Sequence, residues 1–182
     1  MENRKREAGI LMPVFSLPGD YGIGSFGKEA REFVDLLSET GNGIWQVLPM
    51  GPTGFRDSPY QSFSAFAGNP YFIDLEILEK EGLLSEADLA LEREAFLSSE
   101  EKVDYGLVYE RRYPLLRKAY ENWKEMGGNP EELLAKCSRE GFDYCLFMAI
   151  KEHFEGKAWI HFPKAYRDKE DGVIEGFIED NK

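Results

Sequence analysis

The chain has 182 residues, of which 42% are hydrophobic and 31% charged, and it carries a formal charge of −12. That is enough apolar material for one sizeable core, whole or part of a larger one, and too much for a disordered segment. The acidic balance argues against a nucleic-acid partner, because the only basic cluster is Arg4-Lys5-Arg6 beside a terminus. No apolar run approaches the ~18–20 residues of a spanning helix, so no membrane is expected as a partner.

The N-terminal stretch MENRKREAGILMPVF pairs basic residues with a short apolar run that Pro13 interrupts, so it does not read as a signal peptide. Gly9–Phe15 is almost wholly apolar, as expected of a strand covered on both faces in a parallel sheet. A loop with Gly19, Gly22, Gly24 and Gly27 follows. Across 28–39, Ala30, Phe33, Val34 and Leu37 recur at i, i+3, i+4 and i+7, which predicts an amphipathic helix with Gly41 as its stop. A second apolar run, IWQVLPM at 44–50, completes a strand–helix–strand unit and implies parallel pairing of 10–15 with 44–49.

The stretch 76–163 is charge-rich and predicts helices without a strong strand signal. Glu86–Leu97 reads as one helix, and Pro130–Arg139 and Asp143–Phe154 as two more, the last with Phe147, Ile150 and Phe154 on one face. Tyr109, Tyr113, Leu116, Tyr120 and Trp123 form a stripe at spacings of 4, 3, 4 and 3, read as a core face. Pro114 lies inside that stripe, so the helix is expected to start or kink there. Cys137 and Cys145 have no metal-ligand spacing and read as reduced thiols. His153 and His161 have no Cys or carboxylate partner at ligand spacing, so no metal is expected. The glycines at 19–27 are not followed by GKS or GKT and form no phosphate loop. GVIEGFIEDNK at 172–182 reads as the beginning of a further element. Two parallel strands cannot close a sheet, so the chain is expected to be part of something longer.

The segment after the second strand is the most distinctive. Between Gly51 and Leu75 lie six aromatics, Phe55, Tyr60, Phe63, Phe66, Tyr71 and Phe72, while Gly51, Pro52, Gly54, Pro59, Gly68 and Pro70 forbid a long helix. Ser58, Gln61, Ser62, Ser64 and Asn69 add neutral hydrogen-bonding groups. Aromatic faces beside neutral donors and acceptors suit a sugar, whose axial C–H groups pack on rings while its hydroxyls bond laterally. The same composition also fits a rigid surface loop whose Phe side chains plug the rim of the sheet. The residue pattern leaves both open.

RDSPYQSFSAFAGNP within that loop, with SLPGDYGIGSFG at 16–27, WQVLPMGPTG at 45–54, VDYGLV at 103–108 and LFMAIKEHFEGKAW at 146–159, resembles the amylomaltases of glycoside hydrolase family 77, in order and spacing. The resemblance covers nearly the whole chain. It implies the N-terminal part of a cytoplasmic (β/α)8 barrel enzyme with a mostly helical insertion after the second strand. On that reading 1–75 is the first βαβ part with the substrate loop, 76–163 the insertion, and 164–182 the start of the next barrel element.

The activity implied is that of a 4-α-glucanotransferase, which cuts an α-1,4-glucan with retention and passes the segment to another glucan or to glucose. No cofactor is implied, and the partners are α-1,4-glucans and maltooligosaccharides. A retaining mechanism needs two carboxyl groups ~5–5.5 Å apart. The family draws its pair from later barrel strands, so no residue of this chain is expected to be catalytic, and Asp57 reads as structural. Tyr60 matches the family's tyrosine that stacks near the cleavage point, with Ser58 beside it. Tyr105 matches a tyrosine of a second, surface glucan site; its partner there is often a tyrosine, where this chain has Phe55. Trp159 is kept from a Trp-x-x-Trp pattern whose second position is Phe162 here. The competing reading is a non-catalytic α-glucan-binding module that keeps the aromatic loop without the carboxylates.

Overall fold

The computed structural model describes residues 6–54, 57–97 and 102–181. The chain divides into two compact units, Met1–Ala135 and Lys136–Lys182. The first opens with strand β1 (Gly9–Leu11), then helix α1 (Lys28–Glu39) and strand β2 (Ile44–Gln46). β1 and β2 pair in parallel, Gly9 with Ile44, Ile10 with Trp45 and Leu11 with Gln46, as expected of a βαβ unit.

Both strands are shorter than their apolar runs suggest. After Leu11 one more ladder bond forms, from Met12 N to Gln46 O at 3.0 Å. Pro13 has no amide proton to continue the ladder, and Val14–Ser16 closes into a 3-10 turn that buries Val14 to 2% exposure. Nor are the strands covered on both faces: Ile10, Leu11 and Ile44 are exposed. The described sheet has two strands, so each has one neighbour. Among its side chains Trp45 is packed, with its ring 5.1 Å from Phe33 of α1.

α1 occupies the predicted span and buries Ala30 and Leu37, while Val34 of the expected face is half exposed. Its stop is chemical. Gly41 adopts φ +73°, and the helix closes with bonds from Gly41 N to Ser38 O and from Asn42 N to Leu37 O.

Helices α2 (Leu75–Lys80), α3 (Glu86–Phe96), α4 (Tyr105–Glu125) and α5 (Pro130–Ala135) complete the first unit. Side chains set their starts. Asp74 caps α2, Asp104 caps α4, and Ser85 with Asp88 forms a reciprocal capping box on α3. α4 does not begin at Pro114. It runs through it for 21 residues, because the Asp104 cap sets the start nine residues earlier.

The core face of α4 is also not the predicted aromatic stripe. Val108, Arg112, Leu115 and Ala119 are buried, whereas Tyr109, Tyr113 and Tyr120 are exposed. Arg112 explains the difference. It is a charged residue on the inside, 3% exposed, donating from Nη1 to Ile73 O at 3.0 Å and from Nη2 to Tyr21 O at 3.3 Å. Burial lowers its guanidinium from 12.5 to about 10, against the pull of Glu92 and Asp74.

Two apolar clusters fill this unit. One joins Val14, Leu17, Ile23, Ala30, Tyr71, Phe72, Phe96 and Val108; the other joins Tyr21, Leu75, Leu84, Leu89, Leu115 and Ala119.

The second unit holds α6 (Arg139–His153), α7 (Lys164–Arg167) and α8 (Val173–Asp180) around Ile150, Phe162 and Phe177. Phe162, the residue at the second position of the Trp-x-x-Trp pattern, is 4% exposed and lies 5.1 Å from Phe154 and 6.4 Å from Phe147, ring to ring.

Candidate functional site

The aromatic loop is built on short-range polar bonds. Thr53 and Ser62 form an isolated antiparallel bridge that pinches off the turn between them. Inside it Gln61 N bonds Ser58 O at 3.0 Å, Tyr60 N reaches Ser58 Oγ at 3.4 Å, and Asp57 N bonds Gly54 O at 3.0 Å. Asp57 takes the left-handed conformation, φ 52°, and its carboxylate accepts a bond from the Thr53 hydroxyl at 3.3 Å. Downstream, Ser64 Oγ accepts from the amides of Phe66 and Ala67, and Asn69 N donates to Met50 O. Gly51 allows the close approach: a Cβ there would meet Ser62 Oγ at 2.5 Å and Ser64 O at 2.8 Å.

This scaffold sorts the aromatics. Tyr60 and Phe66 stand 72% and 74% exposed, and Phe63 is also exposed. Tyr71 and Phe72 turn into the core, because buried Asn69 accepts from Tyr71 N and opens a 3-10 turn over Pro70–Phe72. Ser58 lies on the turn that carries Tyr60. Phe55, expected at the second glucan site, lies outside the described residues.

Tyr105 is the first residue of α4, half-buried, and borders a cleft of about 490 Å³ with Phe15, Leu17, Ile23 and Val103. Burial and then the Asp57 carboxylate push its phenol pKa up. No ring contact among the described residues joins Tyr60 to Tyr105.

The sequence reading did not anticipate a group of tyrosines at this place. Tyr71 lies 6.5 Å from Tyr105 and 5.9 Å from Tyr113, and Tyr113 lies 5.1 Å from Tyr109, between ring centres. The i, i+4, i+8 spacing of Tyr105, Tyr109 and Tyr113 is a signal in the sequence. Nothing local announces Tyr71, since 34 to 42 residues of chain separate it from them. Among the described residues, no three or more His, Cys, Asp or Glu side chains group so as to hold a metal ion, and no helix is long and apolar enough to cross a membrane.

The glycoside hydrolase 77 family model, described as 4-alpha-glucanotransferase, matches residues 12–182. The 4-alpha-glucanotransferase of Streptococcus pneumoniae is 46% identical over 179 residues, which is 97% of this chain and 35% of that protein. The 4-alpha-glucanotransferase of Thermus thermophilus is 46% identical over 93% of this chain and 33% of its own length. Amylomaltase from Streptococcus agalactiae in complex with acarbose superimposes with a TM-score of 0.85 at 41% identity, covering 97% of this chain and 36% of that one. The chain spans about a third of the length of these relatives. With the match running from Met12 to the last residue, the chain belongs to the 4-alpha-glucanotransferase family, glycoside hydrolase 77.

Proposed function

We propose that this chain supplies the N-terminal, substrate-gripping part of a 4-α-glucanotransferase. The protein it serves moves segments of α-1,4-glucan to the 4-hydroxyl of another glucan or of glucose, with retention at the anomeric carbon. The observation that carries this reading is the exposed Tyr60 on a loop locked by Ser58, Ser62 and Ser64, within a chain that matches the family almost throughout.

On this reading β1, α1 and β2 begin a (β/α)8 barrel, 76–163 is a helical insertion, and 164–182 leads to the next barrel element. The loop after β2 then lies at the barrel's C-terminal face, where such enzymes bind substrate. Tyr60 offers its ring to a sugar face beside the cleaved bond, and the Ser58 hydroxyl bonds that sugar laterally. Tyr105, with Phe55, belongs to a second glucan contact. The nucleophile and the acid/base are assigned to barrel strands in the two thirds of the relatives that this chain does not span. Such a pair stands ~5–5.5 Å apart and works through a glycosyl-enzyme intermediate. α-Glucans are the proposed partners, and the cytoplasm the proposed compartment.

The test is a chimera that joins residues 1–182 to the remaining two thirds of the Streptococcus pneumoniae relative, assayed for disproportionation of maltotriose. Longer and shorter oligosaccharides are expected, with a loss of turnover in Tyr60→Ala. A folded chimera that makes no transfer products overturns the assignment.

A further inference from the structure

The two loops that leave the strands are fastened to each other. β1 and β2 run parallel, so the glycine-rich loop after β1 and the aromatic loop after β2 start from the same end of the sheet. The end of the aromatic loop meets the glycine-rich loop at three places. Phe26 N donates to Phe72 O at 3.0 Å, and the two rings stand edge to face 5.9 Å apart. The Ser25 hydroxyl donates to Asp74 Oδ2 at 2.6 Å, while Asp74 Oδ1 keeps the cap of α2. Arg112 makes the third link, from Nη1 to Ile73 O and from Nη2 to Tyr21 O. A cavity of about 10 Å³, with room for no more than one water, lies among Tyr21, Ser25, Asp74 and Arg112, so the join is packed. From Ile73 the chain leads back through the 3-10 turn to Asn69, whose amide bonds Met50 O, and so to the turn that the Thr53–Ser62 bridge pinches off under Tyr60.

We propose that Arg112 is a positioning residue for glucan binding: it makes the two loops one wall and thereby fixes where Tyr60 stands against the sugar. The inference rests on the reading of Tyr60 given above and adds a residue that touches no substrate.

The chemistry of the side chain supports the role. The two carbonyls belong to different loops, and a guanidinium presents its N–H groups as a rigid planar fork that spans both. A lysine ammonium is a point donor on a flexible stem and does not hold two carbonyls at a set separation. Burying a charge is also a poor source of stability, since apolar side chains of similar volume often serve as well. What the buried fork adds is geometry, because both bonds form only when each loop is in one place.

The experiment has two arms. In the 182-residue chain, amide hydrogen exchange is read at Phe26, whose N–H is bonded to Phe72 O. In Arg112→Lys, folded by circular dichroism, that exchange is expected to quicken about tenfold while the amides of α1 keep their rates. An unchanged rate at Phe26, or an equal rise throughout α1, overturns the clamp. The second arm is a double-mutant cycle in the chimera, read as kcat/KM on maltotriose. Arg112→Lys is expected to lower it about two- to fivefold, bounded by the loss in Tyr60→Ala, and to lower it no further once Tyr60 is already Ala. The same loss in both backgrounds, or no loss in either, overturns the inference and leaves the reading of Tyr60 intact. A Tyr60→Ala chimera as active as its parent overturns that reading and this inference with it. If Arg112→Lys does not fold, Ser25→Ala takes its place in both arms with the same outcomes, because it removes one link between the loops and leaves the Asp74 cap in place.

Discussion

Asp88 sits at the third position of α3, and its carboxylate is asked to do two things. Oδ2 accepts from Ser85 N at 3.0 Å and from the Ser85 hydroxyl at 2.7 Å, closing the capping box. Oδ1 takes the Lys118 ammonium at 2.7 Å, which ties α3 to α4. The bonds from Lys118 and Ser85 lower its pKa from 3.8 to about 2. A depression of that size corresponds to at most about 2.5 kcal/mol in favour of the folded state. The Lys118 side chain is 50% exposed, so solvent screens part of it, and about 1 kcal/mol is the working figure.

Asp88→Asn keeps the shape and an acceptor for Ser85 N while removing the charge. Because the folded pKa is depressed, the stabilisation is fully present above 3.8 and is lost as pH falls through about 2. Urea unfolding of both proteins, followed by circular dichroism at several pH values, isolates it: other carboxylates titrate alike in each and cancel in the difference. The variant is expected to be about 1 kcal/mol less stable at pH 7 and pH 5, with the gap narrowing below 3.8 and closing near 2. A gap that stays constant with pH would assign the effect to cap geometry rather than charge. No gap at pH 7 would refute the reasoning outright.

Leu89 is 2% exposed and Leu91, on the same helix, 58%, so Leu89→Ala is expected to cost about 2–5 kcal/mol by thermal or urea unfolding and Leu91→Ala under about 0.5; equal costs would mean that α3 is misoriented. In the chimera, Tyr60→Ala is expected to raise the barrier to maltooligosaccharide transfer by about 1 kcal/mol through loss of a stacking face, with Tyr60→Phe costing less; kcat/KM on maltotriose decides it. Residues 1–182 alone are expected to produce no oligosaccharide redistribution from maltotriose, because the proposed nucleophile and acid/base lie elsewhere. Product formation that disappears on mutating a carboxylate of this chain would defeat that assignment.

Local chemistry was readable wherever a short range of sequence determines the structure. α1 could be read to its last residue because its charges fall on the outer face and Gly41 supplies the left-handed residue of its stop. The βαβ order and parallel pairing followed from two apolar runs around one helix. Strand length did not, because an apolar run does not say where Pro13 will break the ladder. The aromatic loop announced itself by composition, yet composition does not say which rings face out. Asn69 and the 3-10 turn after it send Tyr71 and Phe72 inward, while the Ser64 turn leaves Phe66 in solvent. Tyr71 and Tyr113 meet through tertiary packing, and no window along the chain contains that meeting.

The misread face of α4 has a single physical cause, and that cause also bears on the site. Counting apolar residues at helical spacing treats every charge as solvent-facing, and Arg112 violates that assumption. Its guanidinium goes inside because two backbone carbonyls wait there, one from the glycine-rich loop at Tyr21 and one from the end of the aromatic loop at Ile73. A carbonyl left without a donor costs about 1–3 kcal/mol, so two of them offset a substantial burial penalty on one cation. With Arg112 fixed inward, Val108, Leu115 and Ala119 must follow it. Tyr109 and Tyr113 each lie one residue from that face, about 100° around the helix, which turns them toward solvent at the edge of Tyr71. One buried arginine thus joins the glycine-rich loop, the aromatic loop and α4, and sets the register that brings four tyrosines together.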